Sequence, residues 1–257
     1  MAVSILVNRY ANRARDTSPG RIHSGDFPRR SQAQNEKQPA VSSSDANTYT
    51  IAVNTARITD APRRPALEKI LADGLINILF VGRIVPNKRI EDHIRLAELY
   101  KRNIDSYYRF IFVGRYDGIP RYYAQIRSLI AEFQMLPDRF WFTGPVPDED
   151  LGAFYRWADV YVSLSEHEGF CVPLVEAMAA DVPVLAYKAG AVAETLGGAG
   201  VLFEPKDLEL AAEMLGLLVY DRAIREQVLA GQRKRLQDFS PAAIDARLGE
   251  VLGRITG

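Results

Sequence analysis

Two acids and two bases carry most of the chemistry that this sequence suggests. Glu168 and Glu176 stand with seven residues between them in the run Ser165-Glu-His-Glu-Gly-Phe-Cys-Val-Pro-Leu-Val-Glu176. Arg83 and Lys88 lie in a second run, Gly82-Arg-Ile-Val-Pro-Asn-Lys88. The first run reads as a polar turn followed by a helix from Pro173 to about Ala180. Gly169 is expected to supply the tight backbone, and Pro173 suits the first helical position, where its missing N–H costs nothing. The free N–H groups of that helix start, with the positive end of its dipole, suit an anion. Carboxylates repel phosphate, so Glu168 and Glu176 are expected to hold hydroxyls, those of a ribose or a sugar. Arginine chelates phosphate oxygens at two points and lysine adds a point charge. Arg83 and Lys88 are therefore expected on a diphosphate, and together the four residues imply a nucleotide sugar.

Each residue also has a plainer reading. Arg83 and Lys88 would pass singly for surface cations, and the two glutamates for exposed acids. The Gly, Pro and apolar residues around the glutamates argue instead for a packed loop, where acids need partners. His167 reads as a loop hydrogen-bonding residue rather than a base. His23 falls in an N-terminal arm and His93 on a helix face, so the histidines form no metal cluster, and no Cys/His spacing suggests zinc. Cys171, between Phe170 and Val172, reads as a small packed residue rather than a nucleophile. Arg89 is read as capping its helix surface, and Gly197-Gly-Ala-Gly200 as turn chemistry. There is no Gly-x-Ser-x-Gly elbow and no P-loop.

The elements that must position these residues alternate. Strands are expected at 77–81, 108–113, 139–142, 160–164, 182–186 and 200–203. Helices are expected at 89–101, 120–133, 148–157, 173–180, 191–196, 208–220, 223–237 and 241–255, with Asp148 as an N-cap. Short apolar strands alternating with helices predict an α/β fold, a single Rossmann-like doubly wound parallel sheet. In such sheets ligands bind beyond the carboxyl ends of the strands. The candidate residues lie there: Gly82, Arg83 and Lys88 after the first strand, Val146 after the third, Glu168 to Glu176 after the fourth.

Residues 1–47 read as a disordered or loosely attached arm, 48–75 as a strand (47–54) and linker with a short helix (66–72), and 76–257 as the Rossmann-like domain with C-terminal helices. The arm is rich in Arg, Ser, Asn, Gln and Pro and has few large apolar side chains to offset ordering entropy. Its excess of arginine admits contact with an anionic lipid surface, beside the plainer reading of a solvated tail. Lys+Arg and Asp+Glu are both 32, so charge gives no reason to expect nucleic acid as a partner. The lone cysteine cannot form an internal disulfide, which fits a reducing, cytoplasmic setting. No apolar run approaches the roughly 20 residues of a spanning helix.

From Asn77 to Phe239 the chain resembles the carboxyl-terminal domain of the retaining glycosyltransferases of family 4, also called group 1, which have the GT-B architecture. The resemblance rests on Glu168-Gly-Phe-Cys-Val-Pro-Leu-Val-Glu176-Ala-Met-Ala, Val81-Gly-Arg-Ile-Val-Pro-Asn-Lys88, Phe142-Thr-Gly-Pro-Val146, Ala158-Asp-Val-Tyr-Val162 and Glu194-Thr-Leu-Gly-Gly-Ala-Gly-Val-Leu-Phe203, in the family's order. It implies transfer of a hexose, with retention, from a UDP- or GDP-linked sugar to a glycan or lipid-linked acceptor, without a cofactor or a bound metal. It implies that Arg83 and Lys88 bind the donor diphosphate, Glu168 the transferred sugar and Glu176 the ribose. The backbone from Phe170 through Cys171, Val172 and Pro173 to Leu174, with Gly169 and Gly82 beside it, would lie along the phosphates, and Val146 near the base. In the family the acceptor site belongs to a second, amino-terminal domain. Only about 75 residues precede the matched region, so that domain is expected in a partner chain or a longer protein. The alternative is a nucleotide-sugar-binding subunit without turnover of its own. A cytoplasmic protein, peripheral at the inner face of the membrane, would fit either reading.

Overall fold

Hydrophobic strands too short to span a small domain need neighbours on both faces, and the alternating helices supply them. The computed structural model describes residues 53–256. Strands β1 (Ile76–Val81), β2 (Tyr108–Val113), β3 (Phe140–Gly144), β4 (Val160–Ser163), β5 (Val184–Tyr187) and β6 (Val201–Phe203) form one parallel sheet in the order β3-β2-β1-β4-β5-β6. That is the doubly wound order, with its reversal between β1 and β4.

The helices are α1 (Ala56–Thr59), α2 (Pro65–Leu71), α3 (Ile90–Asn103), α4 (Pro120–Glu132), α5 (Asp148–Arg156), α6 (Val172–Ala179), α7 (Val192–Leu196), α8 (Leu208–Tyr220), α9 (Arg222–Leu236) and α10 (Pro241–Thr256). Because strand side chains alternate between faces, each strand feeds two cores. Ile78, Phe80, Phe110, Phe112, Val160 and Val162 pack with Ile94, Tyr100, Ile126 and Leu215 of α3, α4 and α8. Leu79, Ile111, Tyr161 and Val184 pack on the other face with Ile58, Phe154, Tyr155, Leu174 and Met178 of α1, α5 and α6.

Two expectations need correction. Asp148 is the first residue inside α5, and Pro147 takes the cap position; the Asp148 carboxylate turns to Arg57 instead. His93 lies on a face of α3 as expected, and that face turns inward: the ring is fully buried against those of Phe80 and Phe112. The stretch read as a linker contains α1, whose Ile58 is buried, and Arg156 of α5 donates to the Ala61 carbonyl at 3.0 Å. The arm at 1–47 lies outside the described residues, as does most of the strand expected at 47–54; of the latter, Val53 and Asn54 are described and belong to no strand.

Candidate functional site

The reversal of strand order sets the loops after β1 and β4 side by side, and the candidate residues meet there. The β1 loop enters a short 3-10 turn, Pro86–Lys88. Glu166 N–H donates to the Asn87 carbonyl at 3.0 Å, joining the two loops. Beside that bond, Lys88 Nζ lies 2.6 Å from Glu168 Oε1, and the two side chains are only 19% and 8% exposed. Arg83 is exposed one residue beyond Gly82. A shielded cation and a shielded carboxylate from opposite sides of the crevice can jointly hold an anion and the hydroxyls next to it.

The β4 loop is stapled from two further elements. Lys206, after β6, donates to the Leu164 carbonyl at 2.8 Å and to Asp92 Oδ2 at 3.0 Å, and its Nζ lies 4.6 Å from the centre of the Tyr187 ring. Arg89 adopts a left-handed backbone at the N-cap of α3 and pairs with Asp92 at 3.1 Å and with Glu166 at 3.2 Å. Arg89 holds the N-cap position by its backbone alone, with no side-chain cap hydrogen bond, and its guanidinium instead ties α3 to the site loop. Gly190, after β5, presses on the same loop from behind. Its φ is +53°, and a Cβ there would stand 2.3 Å from the Glu168 carbonyl oxygen.

Gly169 does not have the role its position suggested. Its φ is outside the left-handed region and a Cβ would meet nothing within 4 Å. The sharp turn falls instead on Cys171, at φ +55°, the N-cap of α6. The helix begins at Val172, so Pro173 occupies its second position. Burial, then the Glu168 carboxylate, pushes the Cys171 thiol up to about 12, the range of an inert packed thiol. The Phe170 carbonyl accepts from Thr195 Oγ1 at 2.6 Å, and its ring meets Phe239 edge-on. Leu174 N–H closes back on the Cys171 carbonyl at 3.0 Å.

Glu176 lies within α6 and is 1% exposed. Tyr155 of α5 donates to its Oε2 at 2.9 Å, and Arg57 of α1 pairs with its Oε1. Burial holds the Tyr155 phenol well above its ordinary pKa, so it stays protonated and donates. Arg57 also reaches Asp148 Oδ1 at 2.7 Å. Val146 is half-buried two residues before Asp148. Arg57 and Tyr155 escaped the sequence reading. Arg57 is 119 residues from Glu176, in a stretch whose pattern resembles a linker. Tyr155 looks like any apolar-face residue of α5. Among the described residues, no group of three or more His, Cys, Asp or Glu side chains could hold a metal ion, and no helix is long and apolar enough to cross a membrane.

A family model described as "Glycosyl transferases group 1" matches residues 67–235. The D-inositol 3-phosphate glycosyltransferase of Corynebacterium diphtheriae is 30% identical over 230 residues, 85% of this chain and 51% of that protein. The GDP-mannose-dependent alpha-mannosyltransferase of Mycolicibacterium smegmatis is 34% identical over 188 residues, 71% of this chain and 45% of that protein. The chain therefore spans about half the length of these curated relatives. Among solved structures, Anabaena HepE in complex with UDP and glucose superposes with a TM-score of 0.63 at 23% identity, covering 78% of this chain and 55% of that one.

Proposed function

The chain belongs to the group 1 glycosyl transferases, and from that premise we propose that it supplies the donor-binding half of a retaining hexosyltransferase. The donor is a UDP- or GDP-linked hexose, and the acceptor is a glycan or a lipid-linked glycan. The observation that carries this reading is the Lys88–Glu168 pair across the reversal of strand order, with the helix start at Val172 beside it. Lys88 and Arg83 take the diphosphate, and Glu168 takes hydroxyls of the transferred sugar. The backbone from Gly169 to Leu174 lies along the phosphates, Gly82 gives close approach, Glu176 takes the ribose and Val146 borders the base. The UDP and glucose in the HepE complex support a nucleotide sugar as ligand, and the name of the mycobacterial relative keeps GDP-mannose among the donors.

Transfer breaks the bond between the anomeric carbon and a diphosphate oxygen. Negative charge then grows on the diphosphate. In this reading Arg83, Lys88 and the N–H groups at the start of α6 meet that growing charge, so they stabilise the transition state more than the bound donor. The acceptor surface is assigned to a further domain, in a partner chain or a longer protein. Residues 76–257 then act as the donor domain of a cytoplasmic enzyme that can be peripheral at the membrane. A donor-binding subunit without turnover of its own is the second reading.

A thermal-shift screen of UDP, GDP and their hexose conjugates tests the proposal. A ligand at one hundred times its Kd stabilises by about 2.7 kcal/mol, which moves the melting temperature clearly. The absence of any shift at millimolar nucleotide would contradict donor binding.

A further inference from the structure

Glu176 meets Arg57 where the donor reading needs it to meet a ribose. Both carboxylate oxygens are engaged, Oε1 by Arg57 and Oε2 by the Tyr155 hydroxyl, and the side chain is 1% exposed. Tyr155 is itself fully buried, so the covering group on the solvent side is Arg57, which is 37% exposed. A carboxylate oxygen has two lone-pair sites, but a hydroxyl can use one only if there is room to approach. Arg57 closes that approach.

The same guanidinium has a second partner further out. Its other terminal nitrogen lies 2.7 Å from Asp148, whose side chain is 54% exposed. Arg57 can thus leave Glu176 without becoming an unpaired cation, swinging outward on Asp148 while Tyr155 keeps Oε2. We propose that Arg57 is a competitive gate on Glu176, which the donor's ribose must displace, so that Arg57 sets donor affinity. The proposal rests on the assignment of Glu176 to the ribose. A group that occupies the binding-competent edge lowers affinity by the fraction of molecules in which the edge is open.

Calorimetric titration of the full chain and its Arg57→Met variant with UDP and GDP tests the gate. At least one ribonucleotide is expected to bind Arg57→Met about three- to tenfold more tightly than the unaltered chain. The 2′,3′-dideoxy diphosphate of the same base is expected to bind both proteins alike, because it has no hydroxyl to bring to Glu176. In a Glu176→Gln background, replacing Arg57 is expected to add nothing. Unchanged or weaker ribonucleotide binding by Arg57→Met would overturn the gate, as would an equal gain for the dideoxy nucleotide. Arg57→Gln, read by the same outcomes, serves if Arg57→Met does not fold. Binding that ignores Arg57 overturns the gate alone; no nucleotide binding by either protein overturns the donor reading with it.

Discussion

Gly190→Ala probes how the fold holds the candidate site. Residue 190 follows β5 with φ +53°, and its Cα hydrogens face the Glu168 backbone. Ala191 N–H, the next along, donates to the Glu168 carbonyl at 3.2 Å, so the two segments cannot part without losing that bond. An added methyl would stand 2.3 Å from the Glu168 oxygen and 3.2 Å from its nitrogen. The left-handed backbone costs an alanine about 1–2 kcal/mol. Forcing a methyl into packed backbone costs about 1–3 kcal/mol. The stiffer unfolded chain returns up to about 1 kcal/mol. The net expectation is a loss of about 1–5 kcal/mol, a large part of an ordinary domain's stability. The assay is urea unfolding, read as a lower midpoint at unchanged slope. Gly169→Ala is the internal control: it adds a methyl to open space one residue from Glu168 and is expected to stay within about 0.5 kcal/mol of the parent. A Gly190→Ala variant as stable as the Gly169→Ala one would refute the packing described behind the site loop.

Burial holds His93 down to about 4 from its ordinary 6.5, against the opposing pull of carbonyls at Arg89 and Val162 and of Asp92. The folded chain therefore prefers the neutral ring, and this contribution to stability is complete above pH 6.5 and lost as pH falls toward 4. Over that window it amounts to about 3 kcal/mol. The difference between the parent and His93→Gln in pH-dependent unfolding isolates it, and parallel curves would count against a buried neutral His93. Cys171, with its thiol raised to about 12, is expected to resist iodoacetamide at pH 8 in the folded chain and to react once unfolded; labelling at the rate of an exposed cysteine would contradict its packing. Gln232 is fully buried, donating to the Val182 carbonyl and accepting from Val184 N–H. Gln232→Leu leaves both backbone groups unpaired and is expected to cost about 2–5 kcal/mol by urea unfolding, with less than 1 kcal/mol the outcome that argues against this clasp.

The sheet was legible because its strands are short, apolar and separated by helical periodicity, and those signals are local. The switch-point loops were legible for a related reason: Gly82, Arg83, Lys88 and Glu168 sit just after strands, where a parallel sheet places its ligands. What escaped are contacts between segments distant in sequence. Arg57 meets Glu176 only because α1 packs on α5, and nothing in the pattern of residues 48–75 encodes that meeting. Asn77 and Arg109 are polar residues within the otherwise apolar strands β1 and β2. They form a buried clasp in which Asn77 Oδ1 accepts from Arg109 at 2.8 Å and its amide donates to the Leu71 and Trp157 carbonyls. The turn at Gly169 was misjudged because glycine marks a tight backbone on average, whereas here the left-handed residue is Cys171 two positions on.

Donor binding across the β1–β4 crevice is the central claim, and calorimetric titration of the full chain with UDP- and GDP-hexoses meets it most directly, with Lys88→Met and Glu168→Ala in parallel. The expected result is saturable one-to-one binding of at least one nucleotide sugar, weakened about tenfold or more in each variant, as the loss of one charged hydrogen bond implies. Binding of equal strength in all three proteins, or none in the unaltered chain, would contradict it.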